Sequence, residues 1–281
     1  MDKFVLRGVL SGGLGGLLGF IFARIFAEPQ IQAAIGYESG RDAAQDALSK
    51  GAGLAVEPDG PEIFSRALQA NIGIGLGIIV MGAALGAIFA IVYAICLGRT
   101  GQIRPRALAL LVAAGGFFGF YFVPFLKYPA NPPAIGHADT IGPRTWLYLT
   151  MVACSLLFSV LALILGQRLK PRFGTWNASL LAGAAFAVAI GIVMFALPSL
   201  GELAANVKEF GKHASETPLP LKDDQGNIVY PGFSADVLAT FRVYSILAQA
   251  LIWGTIGVTF APTADKLLAG RARTEKFTAN V

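Results

Sequence analysis

His137 and Asp139 stand two apart in the stretch KYPANPPAIGHADTIGPRT, Lys127 to Thr145. That spacing is too close for one face of a helix but suits a loop folded round an ion. Imidazole with carboxylates fits a borderline first-row cation, whereas oxygen ligands alone fit magnesium or calcium. Two acids lie further back in the chain: Glu28 closes the first apolar run beside Pro29, and Glu38 follows ten residues on, about three helical turns. Glu28, Glu38, His137 and Asp139 are therefore the candidate metal ligands. The other histidine, His213, reads as a solvated surface residue.

The same stretch holds Pro129, Pro132, Pro133 and Pro143, which forbid helix continuation and stiffen the chain, while Asn131 and Gly136 supply turns. Such a loop either re-enters the mouth of a bundle or connects two helices. Other chemistry is not expected. There is no zinc-protease helix motif, phosphate-binding loop or serine elbow, and GIGLG at Gly73 lacks both the spacing and the preceding strand of a dinucleotide loop. An enzyme acting on a lipid-linked substrate would have only Asp139 with His137 as its acid-base pair, with no third group to position them. No permanently bound cofactor is expected.

The elements that must position these groups are membrane helices. The chain has 281 residues, 55% hydrophobic and 14% charged, with a mean hydropathy of +0.63. Six apolar runs are long enough to cross a hydrocarbon core: 4–26, 70–97, 107–126, 146–166, 178–197 and 239–260. They are apolar all round and too long for barrel strands. The first lacks a small-x-small cleavage pattern and reads as an uncleaved helix.

Charge sets the orientation. Twelve Lys and Arg fall in the N-terminus, the tight connections GRTGQIRPR and QRLKPR, and the C-terminal tail, beside only Asp2, Asp265 and Glu275. Of the other ten, Arg24 and Arg242 lie near outer ends of two runs, and eight share three longer connections with fourteen acids. The positive-inside rule then places both termini in the cytoplasm and the connections 27–69, 127–145 and 198–238 outside. The +5 net charge is thus a topology signal, and no nucleic-acid partner is expected beside membrane lipid.

The expectation is an all-α integral membrane protein, one membrane domain over 1–281 with six transmembrane helices. Its outside loops carry short helices: one after Pro29, and one in GELAANVKEFGKH. EPDGPE reads as a turn, and TPLPLKDDQGNIVYPG as an irregular segment with a tight turn at Asp224 to Asn227. Glycines four apart, at Gly12 and Gly16, Gly15 and Gly19, Gly73 and Gly77, Gly82 and Gly86, and Gly115 and Gly119, predict close helix packing, with a gate or homo-oligomer face as the alternative. Cys96 and Cys154 read as packing residues rather than a disulfide. No Asp, Glu or His lies within the six runs; Arg24 and Arg242 sit near outer ends, where they can snorkel to headgroups.

FLKYPANPPAIGHADTIGPRTWLYL resembles the signature of the CbtA-type family of cobalt transporter subunits. EPQIQAAIGYESG after the first run and GFSADVLATFRVYSILAQALIWGTIG through the last are similar to further family segments, in the family's order. Pro129, Asn131, Pro132, Pro133, Gly136, Thr140 and Arg144 match the loop signature, and Asp236 and Arg242 fall at the start of the last helix. The resemblance implies movement of divalent cobalt across the bacterial cytoplasmic membrane in connection with cobalamin synthesis. It also implies a small single-span partner with a histidine-rich tail. The alternative is a non-transporting scaffold or assembly subunit for a metal carrier. The family is often drawn with five spans. Arg144 is expected to pair with Glu28 or Asp139.

Overall fold

A computed structural model describes residues 2–55, 65–100, 103–211 and 215–278; the EPDGPE turn and His213 lie outside them. Among the described residues, five helical stretches are long and apolar enough to cross a membrane: Asp2–Gly51, Arg66–Cys96, Pro105–Lys127, Ala138–Glu202 and Ala235–Asp265. The six runs expected from the sequence all fall in these five, because 146–166 and 178–197 share one of them.

The chain forms two compact units, drawn from Met1–Glu28, Gly60–Phe118 and Val243–Val281, and from Pro29–Asp59 and Gly119–Arg242. The first unit contains α1 (Asp2–Phe22), α3 (Arg66–Leu68), α4 (Ile74–Cys96), α5 (Pro105–Gly116) and most of α9 (Ala235–Thr278). Its tightest contact is backbone against backbone, as the glycine spacing predicts. A Cβ on Gly82 would lie 2.5 Å from the Gly12 carbonyl oxygen, and one on Gly16 would lie 2.6 Å from that of Ile78. Gly15 meets the Ile252 carbonyl in the same way at 2.8 Å. Gly77 and Gly115, by contrast, have nothing within 4 Å and take no part in this packing. Toward one end of the unit the rings of Phe4, Phe89, Tyr93 and Phe260 cluster with centroids 5.0–6.2 Å apart, Phe260 meeting Phe89 and Tyr93 edge to face. The Tyr93 hydroxyl donates to the Pro105 carbonyl at 3.3 Å, and Arg106 pairs with Asp265.

The second unit contains α2 (Glu28–Gly51) beyond its first residue, α6 (Val123–Lys127), α7 (Ile141–Ala196), α8 (Ala204–Phe210) and the start of α9. Here α7 leaves helical geometry only at Gly174, whose φ of 73° and ψ of 170° favour glycine. Met151, Cys154 and Phe158 before that point pack in one core with Phe186, Ile190 and Val193 after it, so the chain reverses there. The basic connection QRLKPR is absorbed into helix, which is why no separate loop divides the two runs. Both cysteines are free.

Three sequence expectations are corrected. The first helix does not end at Glu28: a π turn over Ala23–Ala27, in which the Glu28 amide donates to the Ala23 carbonyl, carries α1 into α2, and Pro29 is accommodated in that first turn. The connection 198–238 is not wholly irregular. It holds a two-stranded antiparallel hairpin, β1 (Leu221–Lys222) and β2 (Ile228–Tyr230), closed by the Asp223 carboxylate on the amides of Gln225 and Asn227 and on the Asn227 side chain. Pro143 does not hold the loop open, because α7 begins at Ile141 and takes Pro143 and Arg144 into its first turn.

Candidate functional site

The signature loop spans Tyr128 to His137, followed by a 3-10 turn over Ala138–Thr140 that leads into α7. Two arginines fasten it. Arg242, at the start of α9, donates from Nε to the Ala130 carbonyl at 3.2 Å and from Nη2 to Asn131 Oδ1 at 2.9 Å. Arg144 donates from Nη1 to Glu216 Oε2 at 3.0 Å. Neither arginine simply snorkels or pairs as the sequence suggested: Arg144 meets Glu216, and Glu28 meets Arg66 at 2.7 Å.

Glu216 is the buried centre of this arrangement. Its Oε1 accepts from Asn206 Nδ2 at 3.1 Å and lies against the Thr140 hydroxyl, and Asn206 also donates to the Leu200 carbonyl at 2.7 Å. Glu216, Asn206 and Thr140 are all buried to within 1% of full burial, so each carboxylate oxygen is filled by a donor in place of water. Gly136 borders the same group with φ 132°, and a Cβ there would come within 2.7 Å of Arg144 Nη1. Four signature residues, Asn131, Gly136, Thr140 and Arg144, thus serve these two clamps. Pro132 is fully buried beneath the loop, and its carbonyl accepts the Ile135 amide at 3.2 Å. Pro129 and Pro133 flank it on the same irregular stretch.

The histidine closes the loop, immediately before the 3-10 turn. His137 Nδ1 accepts the Asp139 amide at 3.1 Å, which leaves the ring proton on Nε2. Nε2 lies 2.9 Å from Glu209 Oε2, at the end of α8, and the Asp139 carboxylate is 4.0 Å from Nδ1. The His137 backbone is held in turn by Thr140, whose amide donates to its carbonyl at 3.1 Å. The remaining candidates are elsewhere. Glu28 is buried in its pair with Arg66, Glu38 is exposed on α2 one turn before Asp42, and Asp236 sits exposed in the first turn of α9, where a carboxylate favours the helix terminus. Among the described residues, no three His, Cys, Asp or Glu side chains converge on a place that could hold a metal ion. Arg24, expected to snorkel, donates from Nε to Asn71 Oδ1 at 3.0 Å.

Glu209, Glu216 and Asn206 were not expected from the sequence. Glu209 reads as one charge on a solvated short helix, and Glu216 sits in HASETPLP, where no periodicity marks a buried position. Residues 1–265 match a family model described as a probable cobalt transporter subunit (CbtA). The chain belongs to the CbtA family. No curated protein and no solved structure matches it. As a CbtA chain with five long apolar helices it is a multi-pass membrane protein, and a transporter subunit implies partner subunits.

Proposed function

We propose that this chain is the membrane subunit of a divalent cobalt importer in the bacterial cytoplasmic membrane, supplying cobalt for cobalamin synthesis. The observation that carries the reading is the family match over 1–265, joined to a rigidly clamped loop whose outer side bears His137 with Glu209 and Asp139. Six crossings with both termini cytoplasmic are supported by the alternation of basic connections along the chain and by the reversal at Gly174. In that topology the loop faces outward, so a hydrated ion meets it before the bundle. Glu38 and Asp139 add negative charge that gathers the cation, whereas Glu28 is neutralised by Arg66. The chain works without enzymatic chemistry or a resident cofactor.

The six apolar runs hold no Asp, Glu or His, so passage relies on hydroxyls and carbonyls or on groups from a partner. A single-span partner with a histidine-rich tail would supply the soft-to-borderline ligands that this chain lacks. The same scarcity of buried charge favours a second reading, a non-transporting scaffold for a separate carrier. Cell-associated cobalt in a transporter-deficient bacterium separates the two. Import predicts accumulation above the empty-vector control, increased by the partner; no change with well-folded protein in the membrane supports the scaffold, and depletion means efflux.

A further inference from the structure

We propose that His137 and Glu209 form a two-ligand capture site for a first-row divalent cation, with Asp139 orienting the imidazole. It rests on the cobalt-transport reading and names the atoms at which the ion is first held. Nε2 and Oε2 are 2.9 Å apart. Neighbouring ligands of an octahedral ion with bonds of about 2.1 Å are separated by roughly 3 Å, so both atoms can reach one ion without moving the backbone. The His137 side chain is 21% exposed and that of Glu209 49%, which leaves the rest of the coordination shell open to water.

The histidine is already held for this task. Its carbonyl is fixed by Thr140, and Thr140 in turn is anchored by buried Glu216. In the ion-free arrangement Nδ1 accepts the Asp139 amide, so Nε2 carries the proton and gives it to Glu209. When an ion takes Nε2, that proton leaves to water, the ring turns so that Nδ1 gives up the Asp139 amide, and Nδ1 gains a proton in its place, so the ring stays neutral. The Asp139 carboxylate, 4.0 Å from Nδ1, is the acceptor that this tautomer needs. Carboxylate, histidine and metal then stand in the order that fixes a ligating imidazole. One imidazole nitrogen, one carboxylate oxygen and several waters favour cobalt, nickel or zinc over magnesium and calcium. Two protein ligands also release an ion readily, which suits a place where cargo is passed on.

The test is equilibrium binding of Co2+ to the purified full chain in lipid nanodiscs, followed by the cobalt d–d absorption. Wild type binds with nitrogen ligation, and a large excess of Mg2+ does not displace the ion. His137→Ala and Glu209→Gln each weaken binding by about tenfold or more, Asp139→Asn weakens it by less than either, and Asp224→Asn, in the exposed hairpin turn, leaves it unchanged. Glu209→His decides between a metal site and an ordinary ion pair, because it removes the carboxylate yet keeps a ligand; it retains binding. The site is overturned if wild type does not bind, if His137→Ala and Glu209→Gln bind like wild type, if Asp139→Asn costs more than Glu209→Gln, or if Glu209→His loses the ion. Binding is read apart from uptake. Wild-type binding without cobalt import sinks the transport reading and leaves the site, whereas import without His137-dependent binding does the reverse.

Discussion

A carboxylate buried as completely as Glu216 is costly unless its oxygens are filled, and Thr140, Asn206 and Arg144 fill them. Glu216→Gln keeps the shape but places an amide donor against Arg144 or Asn206, so it should lower stability by about 2–3 kcal/mol, read as a fall in the melting temperature in detergent. A melting point equal to wild type would show that the clamp is not holding the loop. Ser155 should behave in the opposite sense. Thr145, Thr150, Ser159, Ser179 and Thr259 each return their hydroxyl to the carbonyl four residues back, but the fully buried Ser155 hydroxyl has no hydrogen-bond partner among the described residues. Ser155→Ala is predicted to leave stability unchanged or raise it by about 1 kcal/mol in the same melting assay. At this scale the sequence was partly legible. Residue types marked Asn131 as a turn residue and Arg144 as half of an ion pair with Glu28 or Asp139, but their partners are Arg242 and Glu216, 111 and 72 positions away, and no local pattern links such pairs.

Glycine spacing did announce close helix packing, because a missing side chain every four residues lets another backbone approach. It could not say which glycines were used. Gly12, Gly16, Gly82 and Gly86 are locked between α1 and α4, whereas Gly77 looks the same in sequence and faces nothing. Gly82→Leu should therefore destabilise by about 3 kcal/mol or more, and Gly77→Leu should be nearly neutral, as measured by the folded fraction recovered from membranes. Equal loss in both would contradict the packing. Hydropathy located every apolar run, but it could not foresee that helix continues through Pro29, since the π turn that admits the proline depends on hydrogen bonding rather than polarity. Nor did it show that α7 would absorb its basic connection and turn only at Gly174. Gly174→Ala forces a positive φ on a residue with a Cβ, for an expected loss of about 1 kcal/mol in melting experiments.

For the whole molecule, apolar composition and family membership point the same way, toward a multi-pass transporter subunit. Composition made the membrane class legible because bilayer crossing imposes length and apolarity together. Cargo and direction were less legible, since a cation site of two side chains and water leaves almost no trace in sequence. The most direct measurement is Co2+ entry into proteoliposomes that hold a divalent-metal dye and the purified chain, with and without a histidine-rich single-span partner. The account predicts cobalt-dependent quenching above protein-free liposomes, faster with the partner and slowed by His137→Ala. Quenching indistinguishable from protein-free liposomes in both arrangements, with the chain folded and inserted, would contradict it.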